Sequence, residues 1–178
     1  AVRPTPVAVA AAELGIPVMK PESVKGEEFL AMLRATGANA VALVAYGKII
    51  PAAVLEWPRY GCVNLHPSLL PKYRGASPIH APLLAGDLMT GVTTMLMDEG
   101  LDTGDILLQE EVPIAPDENA GDLHDRLALL GADLLVRTFD LLEAGALSPV
   151  PQDESRASYA PKVEKERIRW DLAAPIVA

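Results

Sequence analysis

In the run Val63-Asn64-Leu65-His66 an amide and an imidazole stand two residues apart. On an extended strand that spacing puts both side chains on one face. A carboxamide N–H beside an imidazole suits the stabilisation of negative charge on the oxygen of a carbonyl under attack. The same two residues also admit a structural role, with Asn64 capping the following loop and His66 bonded to a backbone carbonyl. Pro67-Ser68-Leu69-Leu70-Pro71 then turns the chain into Lys72-Tyr73-Arg74-Gly75. The cations Lys72 and Arg74 either receive an anion or are simply solvated.

A second cluster lies at MDEGLDTGDIL, where Asp98, Glu99, Asp102 and Asp105 surround Gly100 and Gly104. The ligand spacing of a helix-loop-helix calcium site is absent, and β-rich stretches flank the loop. It reads either as a loop delivering one carboxylate, Asp102, to a neighbouring strand end or as a solvated hairpin turn. His66, His80 and His124 have no i+4 His or Cys partner, so no metal site is expected. Glycine-rich phosphate loops are absent as well. Tyr46-Gly47-Lys48-Ile49-Ile50-Pro51 follows an apolar strand at its carboxyl end, where α/β sheets bind ligands. As a plain strand-to-helix turn it would instead bury Ile49 and Ile50. Cys62 reads as a small core residue.

The elements that position these groups are legible from periodicity and punctuation. Pro4 to Gly15 reads as an Ala-rich helix opened by proline and closed by glycine. Ile16 to Lys20 reads as a short strand and Glu22 to Thr36 as a second helix. Ala40 to Ala45 is continuously apolar, as a strand buried on both faces of a parallel sheet would be. Pro51 to Glu56 makes a helical turn, and Gly61 to His66 is the next strand. Ser77 to Ala85 reads as helical. Gly91–Asp98 and Asp105–Ile114 are predicted to pair as antiparallel strands. Asp122 to Gly145, with Leu123, Leu127, Leu130 and Leu134 at helical spacing, is the clearest helix. The fold class is therefore α/β: a Rossmann-like, mostly parallel sheet flanked by helices, with a C-terminal β pair and a long helix.

The chain of 178 residues is 50% apolar, 22% charged and only 4% aromatic, which fits one domain with an aliphatic core. Its longest apolar run, Ala40 to Ala45, is too short to span a bilayer. A single cysteine excludes an intrachain disulfide framework, and a cytoplasmic protein is expected. The formal charge of −9 argues mildly against a nucleic-acid partner. Composition shifts after Leu147, so 1–147 reads as the folded part and 148–178 as a linker leading elsewhere.

AYGKIIPAAVLEWPRYGCVNLHPSLLPKYRGASPIHAPLLAGD, then TGVTTMLMDEGLDTGDILL, then SYAPKVEKERIRWD follow one another over nearly the whole chain. Together they resemble the folate-dependent formyltransferases, and YRGASPI, the GLDTGDI stretch and YAPK favour the methionyl-tRNA members. The resemblance implies transfer of a formyl group from 10-formyltetrahydrofolate to the α-amine of initiator methionyl-tRNA. It assigns catalysis to Asn64, His66 and Asp102, with neither metal nor nicotinamide. Folate contacts would come from Tyr46, Ile49 and Ile50 and from Ser68, Leu69, Leu70 and Pro71, and tRNA contacts from Lys72 and Arg74. A monomer with no membrane contact is expected at full length. A formyltransferase for a sugar-nucleotide or other small amine is the alternative, and a non-catalytic folate-binding domain a further one. The family also carries an earlier βαβ part with a basic loop and a C-terminal tRNA-holding domain. This chain is expected to be a fragment lacking both, with an open sheet edge and low stability. Its −9 charge then says little about tRNA.

Overall fold

The computed structural model describes residues 4–163, within two compact units, Ala1–Gly37 and Ala38–Ala178. In the first unit, α1 (Pro6–Glu13) is capped by Thr5, whose hydroxyl accepts from the Ala8 N–H at 3.3 Å. Helix α2 (Glu27–Ala35) follows its cap Gly26 and starts at Glu27, five residues later than its periodicity predicts. Ser23 accepts from the Lys25 N–H and holds the preceding residues in a turn instead. Glu27 and Glu28 in the first turn and Arg34 in the last suit the helix dipole. Ile16 to Lys20, predicted as a strand, is exposed and forms no ladder with the described residues. Pro17 removes a donor from the middle of that run.

The second unit is built on a sheet in the order β1 (Val41–Val44), β2 (Cys62–His66), β4 (Met89–Leu96), β5 (Ile106–Pro113). Between β1 and β2 runs the single-turn helix α3 (Ala52–Leu55). Only the β1–β2 junction is parallel, while β2–β4 and β4–β5 are antiparallel. The expectation of a mostly parallel sheet therefore fails, and the reason is local. A parallel return needs a crossover that carries the chain back to the far end of the sheet. Here the residues after β2 are used in an irregular loop, in β3 (Arg74–Gly75) and in the six-residue helix α4 (His80–Ala85), so β4 begins beside the end of β2. Strand β1 is at the sheet edge, with Leu43 buried but Val44 57% exposed, and is not covered on both faces.

Helix α5 (Ala120–Glu143) packs along one face of β4 and β5. Asn119 caps it, accepting from the Gly121 and Asp122 N–H groups. Its buried stripe of Leu123, Leu127, Gly131, Leu134 and Thr138 meets Val92, Leu65 and Leu108. Gly131 permits close approach to β2, because a Cβ there would lie 2.6 Å from Leu65 Cδ2.

The residues from 148 to 163, expected as a linker, are bound to this unit. Val150 bridges to Ile106, a 3-10 turn covers Glu154–Arg156, and β6 (Tyr159–Ala160) pairs in parallel with β3. The proline-rich composition misleads because the stretch is tied by single bridges and side chains, not by a repeating pattern. The charged run from Glu164 onward lies outside the described residues.

A buried hydroxyl pair joins the sheet to α5. Thr138 Oγ1 donates to the Leu134 carbonyl at 2.7 Å, Thr94 Oγ1 lies 2.8 Å from Thr138 Oγ1, and the Leu108 N–H donates to Thr94 Oγ1 at 3.2 Å. Each hydroxyl is thus used as donor and acceptor in turn. Thr94→Val and Thr138→Val should each cost about 1–2 kcal/mol in urea unfolding, and the double variant less than their sum. Strict additivity would contradict the coupling.

Candidate active site

Strand β2 brings Asn64 and His66 to one face, opposite Met95 and Thr93 of β4. His66 is 4% exposed, and both ring nitrogens have neighbours. Nε2 lies 2.9 Å from the Tyr73 carbonyl, and Nδ1 lies 3.7 Å from Asp102 Oδ2. The second distance is an ion-pair separation and too long for a hydrogen bond. Asp102 Oδ2 accepts from the Gly75 N–H at 2.8 Å. Three consecutive residues, 73–75, therefore touch both the imidazole and the carboxylate through backbone groups. An imidazolium is the ring form that can donate on both sides.

The loop between β4 and β5 delivers Asp102 by a division of labour among its carboxylates. Asp98 accepts from the Gly100 N–H at 2.9 Å and from Thr103 Oγ1 at 2.8 Å, closing the loop on itself. Gly104 lies so close to β4 that a Cβ would sit 1.7 Å from the Leu96 carbonyl oxygen. Asp102 itself has φ of 54°, in the left-handed region. Gln152 spans the loop, donating from Nε2 to the Asp102 carbonyl at 2.8 Å and the Gly104 carbonyl at 2.7 Å.

Asn64, His66 and Asp102 line one cavity of about 760 Å³. Leu43, Tyr46, Ile49, Ile50, Val92 and Leu127 give it an apolar wall, and the loop from Met97 to Asp102 forms another side. The carboxamide of Asn64 makes no hydrogen bond among the described residues, so it does not cap the loop. Ile50 is buried while Ile49 is 84% exposed, so the turn after β1 does not bury both. His80 and His124 also border the cavity, His124 against Asp125 at 3.0 Å.

Ser68 to Pro71 do not line this cavity. Thr93 Oγ1 donates to the Ser68 carbonyl at 2.6 Å and accepts from the Leu70 N–H at 3.2 Å. Gln109 Nε2 donates to the Leu70 carbonyl at 2.9 Å, and Ser68 Oγ donates to the Lys72 carbonyl at 2.6 Å. These bonds hold the loop against the sheet, burying Ser68, Leu70 and Pro71, and Leu69, Leu70 and Pro71 line a second cavity of about 760 Å³. The alternation of types that betrays strands gives no sign of this, since the fixing groups sit on β4 and β5.

Arg74 also departs from expectation. It is 0% exposed. Its guanidinium donates to Glu154 at 2.7 and 3.0 Å and to Gln152 Oε1 at 2.8 and 3.0 Å. The hydrogen bond to Arg74 holds the Glu154 carboxyl below its usual range. Lys72 remains exposed, 3.8 Å from Asp87. The residues that escape sequence reading, Gln152 foremost, lie in the stretch whose one signal is the SYAPK motif, and there Tyr159-Ala160 pairs with Arg74-Gly75.

A family model described as formyl transferase matches residues 2–139. The chain belongs to the formyl transferase family. It is 52% identical over 175 residues to methionyl-tRNA formyltransferase of Syntrophus aciditrophicus (strain SB), covering 97% of this chain and 56% of that one. With the enzyme of that name from Pelotomaculum thermopropionicum it shares 53% over 173 residues, covering 96% and 55%. The chain thus spans about half the length of these curated relatives. Among solved structures it resembles the formyltransferase PseJ from Anoxybacillus kamchatkensis, in complex with UDP-4,6-dideoxy-4-formamido-L-AltNAc and tetrahydrofolate. The TM-score is 0.71 at 26% identity, over 90% of this chain and 82% of that one. It also resembles glycinamide ribonucleotide transformylase 1 from Geobacillus kaustophilus, with a TM-score of 0.68 at 32% identity over 76% of each chain. The family's α/β architecture thus carries the mixed four-stranded sheet, the two-stranded β3–β6 sheet and the long α5.

Two acids near the loop tie stability to alkaline pH. Burial, followed by the Asp87 hydrogen bond, pushes the Tyr73 hydroxyl up from 10.0 to about 12. Burial pushes the Cys62 thiol up from 9.0 to about 11. Both values are raised by folding, so the stabilisation is complete below 9.0 and is lost as pH rises towards about 12. Urea midpoints should fall across that window, and Tyr73→Phe should lessen the fall. Midpoints unchanged up to about 11 would contradict these assignments.

Proposed function

We propose that this domain transfers a formyl group from 10-formyltetrahydrofolate to the α-amine of initiator methionyl-tRNA. The observation that carries the reading is the meeting of Asn64, His66 and Asp102, from two separate segments, on one cavity with an apolar wall. Identity of about half to methionyl-tRNA formyltransferases supports the choice of amine.

The cavity's residues fit a folate. Tyr46, Ile49 and Ile50 offer apolar surface to a flat ring, and the loop from Met97 to Asp102 offers backbone groups at its edge. Bound there, 10-formyltetrahydrofolate supplies the formyl carbon. Ser68 to Pro71 have no part in this pocket, and Arg74 has none in tRNA binding, because their groups are committed elsewhere. Lys72 is the exposed cation of that pair and the one available to a phosphate.

The chemistry follows from which atoms are free. The Nε2–H of His66 donates to the Tyr73 carbonyl, so in the imidazolium form Nδ1–H is the donor left to the reacting centre. Asn64 contributes an uncommitted amide N–H on the same strand face. Together they hold the formyl oxygen as negative charge develops on it during attack by the amine. Asp102 keeps Oδ2 on the Gly75 N–H, leaving Oδ1 to accept the proton the amine loses. When the charged oxygen re-forms its carbonyl, the bond to the folate nitrogen would break, and the proton taken up by Asp102 would pass to that nitrogen, so that tetrahydrofolate leaves neutral.

The working protein in this reading is a cytoplasmic monomer. Among the described residues no helix is long and apolar enough to cross a membrane.

Formyl transfer from labelled 10-formyltetrahydrofolate to charged initiator tRNA tests the reading, with the domain expressed at the length of its relatives. Asn64→Ala should lower turnover about 100-fold with the fold intact. A rate near wild type would remove Asn64 from the mechanism. Turnover with a sugar-nucleotide amine but not with methionyl-tRNA would favour the small-amine alternative. Folate binding without turnover on any amine would favour a non-catalytic domain.

A further inference from the structure

A side-chain amide offers two donor hydrogens and one carbonyl oxygen with two lone pairs. Gln152 uses all four. Its Oε1 accepts from Arg74 Nε at 3.0 Å and Nη2 at 2.8 Å, and its Nε2 donates to the Asp102 carbonyl at 2.8 Å and the Gly104 carbonyl at 2.7 Å. The two carbonyls flank the part of the loop where Asp102 takes φ of 54° and Gly104 presses against β4. A non-glycine residue in the left-handed region leaves it readily unless its neighbours hold it.

The other end of Gln152 is equally specific. Arg74 is fully buried, and its own backbone neighbours are Tyr73, whose carbonyl faces His66, and Gly75, whose N–H binds the Asp102 carboxylate. One side chain therefore fastens the backbone beside the carboxylate to the residue whose flanks grip both His66 and Asp102. We infer that Gln152 is a positioning residue for catalysis, locking the Asp102 loop against Arg74 so that the carboxylate stays beside the His66 imidazole. The inference rests on the proposed role of Asp102 in formyl transfer.

Gln152→Glu separates this role from a merely structural one. The carboxylate keeps, and strengthens, the acceptor side that faces Arg74, but it has no hydrogen to give the Asp102 and Gly104 carbonyls. A carboxylate oxygen then faces the two carbonyls, so the thermal midpoint should fall by a few degrees while the fold is retained. The turnover number should fall roughly 30- to 100-fold with KM changed less than about threefold, as for a catalytic group displaced by an ångström. In an Asp102→Asn background the same substitution should cost less than about threefold, because the residue it positions is already disabled. If Gln152→Glu folds poorly, Gln152→Met carries the same comparison with and without Asp102→Asn.

A second readout needs no catalysis. Exchange of the Gly75 amide, protected by Asp102 Oδ2 in the wild type, should accelerate at least tenfold in Gln152→Glu. Unchanged Gly75 exchange, or a turnover loss that persists in full on the Asp102→Asn background, overturns the inference. Faster exchange in a domain whose wild type formylates no amine leaves the positioning role standing and sinks the functional reading instead.

Discussion

An imidazole on a strand and a carboxylate on a loop are brought within 3.7 Å because one short backbone segment binds both. The Tyr73 carbonyl takes one side of His66, and the Gly75 N–H takes one oxygen of Asp102. Between them sits Arg74, whose buried charge would be prohibitive without matched partners. Glu154 and Gln152 provide those partners from a segment nearly eighty positions along the chain, and β6 pairs beside them on β3. The site is thus clamped from outside the sheet as well as by it.

The same logic explains why the Ser68–Pro71 loop does not face the cavity that holds Asn64, His66 and Asp102. Thr93 and Gln109, side by side on β4 and β5, take up the backbone of the Ser68–Pro71 loop. With two of its carbonyls bonded to the sheet, the loop buries Leu70 and Pro71 and lines the second cavity with Leu69, Leu70 and Pro71. The reacting groups then open onto the other cavity, against the apolar turn after β1. The Ser68–Pro71 loop is thereby fastened to the sheet from behind.

What could be read from the sequence depended on how local the cause was. Asn64 and His66 on one face follow from strand periodicity, and α5 follows from its leucine spacing and its Gly145 stop, though its Asn119 cap came only from the structure. The antiparallel β4–β5 pair was legible from its two β-rich runs around a glycine loop. Sheet direction was not, since it turns on whether the chain after β2 crosses over or folds back, and that is set by the bonds of an irregular loop. The burial of Arg74 and the use of Gln152 were illegible for a related reason: each depends on a partner remote in sequence and carries no periodicity. The meeting of Asp102 with His66 came from family resemblance, while the atoms that enforce it came only from the structure.

In the proposed reaction the formyl-bearing end of a folate lies between Asn64 and His66 Nδ1, away from the second cavity. A crystal structure of the chain with 5-formyltetrahydrofolate tests that most directly. The pteridine should lie against Tyr46 and Ile50, with Asp102 still bonded to the Gly75 N–H and within reach of the imidazole. A folate bound along Leu69 and Pro71, or an Asp102 carboxylate turned away from His66 in the complex, would contradict it.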